Sequence, residues 1–143
     1  MPSLCWYEAS PARFVLESIR VSKTGRPFSL RRYGDSVYWL GTVADLPIGV
    51  AHVPAEVMIW YPEAFPAVHP DVFILSPEIP AAEFGHSWHR WKDGKICFVQ
   101  PSHWNLATTA DEVIEKIADW YFNYAAKKAG LIDEMPAVGR AHV

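Results

Sequence analysis

The sequence has few cysteines and shows no disulfide framework. Cys5 and Cys97 are the two cysteines among 143 residues. A chain of this length can bury enough apolar surface to fold without a cross-link, so a disulfide between them is possible but not required. The sequence also lacks a basic start followed by an apolar run, the pattern of a secretory signal. We therefore expect one domain in the reducing cytoplasm, where a lone cysteine stays a thiol.

Other missing features exclude several classes of function. No stretch reaches membrane-spanning length without a charge or a proline, so we expect no membrane association. The formal net charge is −3, and the cations are scattered apart from Arg31–Arg32 and Lys127–Lys128, which does not favour nucleic-acid binding. The chain has no Gly-rich nucleotide loop, so we expect no cofactor and no activation of a carboxylate with ATP by this chain itself.

Helix signals lie near both ends of the sequence. Ser10-Pro11 is typical of a helix start, and Thr24-Gly25 of its end. The buried face of this helix is predicted to contain Phe14, Val15, Leu16 and Ile19. Thr109 and Glu112 form a capping-box pattern for a second helix, which ends at Gly130. Its buried face is predicted to contain Val113, Ile114, Ile117, Trp120, Tyr121 and Tyr124.

Between the helices, the residue pattern predicts four strands. They are Phe28–Tyr33, Ser36–Val43, Val50–Trp60 and Asp71–Leu75. Short connections, such as the turn at Gly34-Asp35, favour an antiparallel meander. The sequence thus predicts an α+β domain over residues 10–130, with an N-terminal helix, a four-stranded meander, a long loop and a C-terminal helix. Residues 1–9 and 131–143 are predicted to be terminal extensions, with a mobile tail from Asp133 onward.

The segment Ser76–Leu106 has no regular periodicity. A loop of about thirty residues is long for a compact domain, and such loops are usually functional. This one contains three histidines, three tryptophans and Cys97. Cys97 follows the tight turn at Asp93-Gly94, where a thiol can reach a substrate. A thiolate can take an acyl group as a thioester and pass it to an amine, so Cys97 is the first candidate nucleophile.

Several neighbours could assist Cys97. Lys95, Arg90 or a histidinium could raise the thiolate fraction. The imidazole N–H of His89 could stabilise the oxyanion that forms on a thioester carbonyl. Cys5, near a terminus, is expected to be incidental.

Other interpretations of the loop stay open at this point. Free cysteine is among the most buried residue types, so Cys97 could be structural. Four side chains could bind a metal, namely His86, His89, Cys97 and His103. Their spacing is not that of a zinc finger, and we expect no metal. A Cys-His hydrolase is chemically conceivable, although the local signature of a cysteine protease is missing.

The order of these motifs resembles the ubiquitin-conjugating enzyme (UBC) fold. The resemblance spans about Ser10 to Gly130 and rests on Tyr61-Pro62, Pro66, Gly94-Lys95-Ile96-Cys97, Trp104 and the helix that starts near Thr109. Where eukaryotic members carry His-Pro-Asn, this chain has Ser87-Trp88-His89. The His- and Trp-rich form looks more like the divergent bacterial members encoded in antiphage operons, either CBASS-like or Bil-like.

The resemblance implies that Cys97 accepts a C-terminal carboxyl group as a thioester and delivers it to an amine. His89 occupies the position of the family's asparagine, so an oxyanion role for it is a hypothesis. The implied partners are an activating enzyme or an activated acyl donor, together with a ubiquitin-like protein or a cGAS-like nucleotidyltransferase. The alternative is a non-catalytic UBC-like adaptor that binds a partner protein.

Four further side chains are second-tier candidates for the site. His86 is one of them. His103 could face Cys97, although it could equally be a surface histidine. Asp93 could orient an incoming lysine, but is more readily explained as a turn residue. Trp104 is expected to pack the loop against the core rather than touch substrate.

Overall fold

The computed structural model, which describes residues 4–51 and 53–136, has a four-stranded sheet whose strands come between helical segments in chain order. The helices are α1 (Trp6–Ala9), α2 (Pro11–Lys23) and α3 (Ala110–Lys128), and the strands are β1 (Phe28–Tyr33), β2 (Ser36–Val43), β3 (Ala55–Trp60) and β4 (Asp71–Ser76). Two short 3-10 turns, His86–Trp88 and Pro101–His103, lie in the long segment between β4 and α3.

The sheet is an antiparallel meander in the order β1-β2-β3-β4, which confirms the predicted pairing. Side chains along β2 alternate strictly between buried and partly buried positions, because successive residues of a strand point to opposite faces. All six residues of the predicted buried face of α3 are buried. The α3 helix also packs against α2. No helix among the described residues is long and apolar enough to cross a membrane.

The predicted buried face of α2 is wrong, although its capping residues are those expected from the sequence. Val15, Leu16 and Ile19 are 53%, 43% and 47% exposed, and Phe14 is only partly buried. The buried residues of α2 are instead Glu17 and Val21. A Glu17 carboxylate oxygen accepts a hydrogen bond of 2.7 Å from the backbone N–H of Ala110, the first residue of α3. Apolar spacing could not predict that a carboxylate is turned inward, because its partner is distant in sequence.

The third strand is shorter than predicted. It begins at Ala55 rather than Val50, directly after Pro54, whose nitrogen cannot donate to a strand ladder. Val53 precedes the strand and its side chain is exposed, whereas Val57 and Ile59 within the strand are buried. His52, within the predicted strand, lies outside the described residues.

Both segments that flank residues 10–130 contribute buried side chains. Trp6 belongs to α1, a helix that the sequence did not predict, and its ring packs 4.8 Å from Tyr61 and 4.7 Å from Phe65 between ring centroids. Met135, in the segment after α3, is also buried. One side chain of each predicted extension, Trp6 and Met135, thus belongs to the core. The domain boundaries stay a prediction, and most of the predicted mobile tail, residues 137–143, lies outside the described residues.

Candidate active site

The loop that carries Cys97 is attached to the free edge of β4. Lys95 pairs with Phe73 of β4, and the N–H of Ile96 donates to the carbonyl of Val72 at 2.9 Å. The preceding turn is closed by Asp93, whose carboxylate accepts the N–H of Lys95 at 3.0 Å, and by Gly94 at φ 100°, a conformation that favours glycine. The turn and the edge pairing together fix the backbone just before Cys97.

Cys97 is a free, partly buried thiol. Its backbone N–H donates to the carbonyl oxygen of His89 at 2.7 Å, which ties the two residues together. Burial raises the pKa of the Cys97 thiol, and the negative charge of Asp93 raises it further. Both effects disfavour the thiolate, so the group is a protonated thiol at neutral pH.

The cations expected to activate Cys97 are engaged elsewhere. The Lys95 ammonium lies 3.4 Å from the Asp93 carboxylate, and the Arg90 guanidinium donates to the carbonyl of Glu83 at 3.2 Å. Neither contributes to the pKa shift of Cys97, whose causes are burial and Asp93. The structure therefore gives no support to a thiolate stabilised by Lys95 or Arg90, and a role for either in activating Cys97 stays a prediction.

His89 has an unusual backbone conformation, and hydrogen bonds connect it to Cys97, to α3 and to the segment after α3. It has φ 47° and ψ 50°, the left-handed region, which costs a non-glycine residue roughly 1–3 kcal/mol. Its carbonyl oxygen accepts from Cys97 N–H and from the indole N–H of Trp120 in α3, the latter at 3.0 Å. Its ring Nε2 lies 3.4 Å from the carbonyl oxygen of Met135. Burial lowers the pKa of His89 and so favours the neutral imidazole.

A cavity of about 370 Å³ opens beside the thiol. Its wall includes Cys97, His86, His89 and His69 together with the apolar side chains of Trp91, Ile96, Val99 and Pro101. The imidazole rings of His86 and His89 are 5.4 Å apart between centroids. The structure therefore brings three of the predicted site residues, His86, His89 and Cys97, to one concave surface of a size typical of ligand sites.

The other predicted candidates do not line this cavity. Asp93 is exposed and closes the turn. Trp104 donates its indole N–H to the carbonyl of Pro66 at 2.8 Å and packs near Phe65, which anchors the loop to the core. His103 lies in the second 3-10 turn. Within residues 4–51 and 53–136, no group of three or more His, Cys, Asp or Glu residues is arranged to hold a metal ion.

Side chains of α3 also bind the long loop between β4 and α3. Lys127 donates to the carbonyl of Ser87 at 2.8 Å, and its ammonium lies 3.9 Å from the centre of the Trp88 ring. Glu83 accepts from the Tyr124 hydroxyl at 2.7 Å and pairs with Lys128 at 2.6 Å. The Lys127–Lys128 pair was visible in the sequence, but its loop partners lie about forty positions away and left no local signal.

Comparison with known proteins supports the fold. No protein-family model matches the chain, and no curated protein matches it in sequence. The structure is similar to that of the yeast Vps23 UEV domain in complex with a Vps27 PSDP peptide, with a TM-score of 0.51 and 13% sequence identity. The likeness covers 90% of this chain and 84% of the yeast chain. At this identity it shows the fold alone, which is α+β and UBC-like.

Proposed function

We propose that this chain is an acyl carrier similar to ubiquitin-conjugating enzymes, which holds a C-terminal carboxyl group as a thioester on Cys97 and transfers it to an amine. The observation that carries the proposal is the placement of Cys97, a free thiol in the wall of a cavity and hydrogen-bonded through its backbone to His89. A thioester keeps the acyl group activated, so an amine can displace the thiol without further energy input.

The proposed partners follow from what the chain lacks. It has no Gly-rich nucleotide loop, so an activating enzyme or an already activated acyl donor must supply the carboxyl group. The resemblance of the loop to divergent bacterial members favours two acyl sources, a ubiquitin-like protein or the C-terminus of a cGAS-like nucleotidyltransferase. We place this activity in the cytoplasm and in antiphage defence of the CBASS or Bil type.

Intact mass spectrometry without reducing agent tests the acyl carrier directly. The chain is co-expressed with its genomic neighbours as wild type, Cys97→Ala, Cys97→Ser and Cys5→Ala. We expect a thiol-sensitive adduct on the wild type and on Cys5→Ala, none on Cys97→Ala, and a thiol-resistant ester on Cys97→Ser. The adduct mass identifies the acyl group. An adduct that persists in Cys97→Ala, or none on the wild type, contradicts the proposal.

A second candidate function is a non-catalytic adaptor that binds a partner protein. It is favoured by one observation, namely that the similar yeast UEV domain was solved in complex with a peptide. The two functions differ in their need for the thiol. An adaptor keeps its partner binding and its biological activity when Cys97 is replaced by alanine, whereas an acyl carrier loses the activity even if partner binding persists.

A further inference from the structure

The imidazole of His89 contacts the backbone that follows α3. Its Nε2 lies 3.4 Å from the carbonyl oxygen of Met135, and a carbonyl can only accept a hydrogen bond. A neutral imidazole carries one proton, so this contact favours the tautomer with the proton on Nε2. Nδ1 is then left with a lone pair and no proton. In this tautomer Nδ1 can accept a proton but cannot donate one.

The surroundings of His89 keep the ring neutral. Its side chain is buried, with 7% of the residue exposed, and burial is the main cause of its lowered pKa. The charges of His86 in the first 3-10 turn and of Lys127 on α3 lower the pKa further, whereas the carbonyl groups of Met135 and Pro136 oppose them. Cys97 lines the same cavity, and burial raises the pKa of its thiol. A neutral imidazole is therefore the form present at physiological pH.

We propose that His89 acts as the general base of the transfer reaction, with Nδ1 as the accepting atom, rather than as a donor to the oxyanion. This inference rests on the proposed acyl-carrier function. The amine nitrogen forms a bond to the thioester carbonyl carbon, and the proton that the nitrogen loses goes to Nδ1. The bond between that carbon and Sγ of Cys97 breaks, and sulfur leaves with the electron pair.

The same pair of residues completes the proton balance. The departing thiolate of Cys97 lies in surroundings that favour its protonated form, because it is partly buried and near the carboxylate of Asp93. It therefore takes the proton that Nδ1 received, and the resting thiol and neutral imidazole are restored. In the loading step Nδ1 accepts the proton of the thiol as sulfur forms a bond to the acyl carbon of the donor. The bond between that carbon and the donor's leaving group breaks, and the leaving group departs with the electron pair and takes the proton from Nδ1. No external acid or base is required.

Single-turnover transfer as a function of pH tests this role. The mercaptoethanesulfonate thioester of a peptide ending in Gly-Gly loads Cys97, and excess donor is removed. Free lysine is then added over about pH 4.5 to 8.5, a range that extends well below the ordinary histidine pKa of about 6.5 because burial lowers the pKa of His89. The variants are His89→Gln, whose amide can still donate to Met135, and His89→Ala with added imidazole. Neither amide nor methyl group can accept a proton at these pH values.

A general base gives a characteristic pH dependence of the rate ratio between wild type and His89→Gln. At the highest pH we expect the wild type to transfer the acyl group roughly 10²-fold faster than His89→Gln. This rate ratio should fall toward one at low pH, where the wild-type imidazole is protonated. Added imidazole should restore part of the rate to His89→Ala. An oxyanion donor predicts the opposite, because the imidazolium that forms at low pH is the stronger donor, so a ratio that stays constant or rises at low pH overturns the proposal.

Two readouts separate this proposal from the acyl-carrier function. A wild type that never loads contradicts the acyl carrier and the base together. If the wild type loads but the rate ratio does not change with pH, the general-base role of His89 is contradicted and the acyl-carrier function is not. The ¹⁵N NMR signals of the unloaded protein report the tautomer without any substrate. We expect a protonated Nε2 and an unprotonated Nδ1 for His89, and a protonated Nδ1 in the neutral ring overturns the assignment.

Discussion

Replacing Trp120 with phenylalanine should weaken the fold and loosen the Cys97 loop together. Trp120 is buried in α3, and its indole N–H donates to the His89 carbonyl at 3.0 Å. Phenylalanine removes this hydrogen bond, worth about 1 kcal/mol. It also removes part of a buried ring, which we put at about 1–2 kcal/mol from the cost of larger truncations. The variant should therefore lose about 2–3 kcal/mol of unfolding free energy, or about 4–10 °C in Tm for a domain of this size.

The local effect is measured by alkylation of Cys97 with iodoacetamide. The His89 carbonyl also accepts the Cys97 N–H, so losing the Trp120 bond should make local opening about 1 kcal/mol easier and alkylation about fivefold faster. Trp39→Phe is the matched control, because Trp39 is also buried and its indole N–H donates to the Tyr61 hydroxyl at 2.8 Å, away from the loop. Equal acceleration in both variants would refute the specific link between α3 and the loop.

Two further predictions concern charge. Asp93→Asn removes a negative charge that helps to raise the pKa of Cys97. The midpoint of the Cys97 alkylation rate against pH should therefore move to lower pH. An unchanged midpoint would mean that burial alone raises the pKa of Cys97. Burial raises the pKa of Glu17 above its ordinary 4.5, so the folded state retains a proton that the unfolded state releases. Wild-type stability should then fall as pH rises from 4.5 through the folded pKa. Glu17→Gln should lack this fall in urea titrations, and a parallel pH profile in both proteins would count against a raised pKa.

Elements with strong local signals were predictable from the sequence alone. The capping box at Thr109 and the helical apolar spacing located α3 and its buried face. The strands β1 and β2 run over the residues that the pattern predicted, because β-branched and aromatic residues are bounded there by a clear turn. Where the outcome depends on distant partners the prediction failed, as on α2, where Glu17 is buried because its carboxylate meets the start of α3.

The candidate site was likewise predictable only where the signal is local in sequence. The turn at Asp93-Gly94 and the apolar residues beside Cys97 made the thiol a candidate, and the sequence placed His89 near it. The orientation of the imidazole could not be predicted, because it depends on the Met135 carbonyl, 46 positions later. The hydrogen bond from Trp120 to the His89 carbonyl could not be predicted either, because Trp120 fits the ordinary apolar spacing of a helix that packs on the core.

The position of Cys97 bears on the choice between carrier and adaptor. A cysteine that served packing alone would be expected in the apolar core, where free cysteine is most often found. Cys97 is instead partly buried in a cavity wall, between the buried residues Ile96 and Phe98. The residue whose carbonyl accepts its N–H has a strained left-handed backbone, and such strain persists only where surrounding contacts impose it. Peptide binding elsewhere on the fold would not require this strain, which is the observation that supports the proposed chemistry at the thiol over the adaptor.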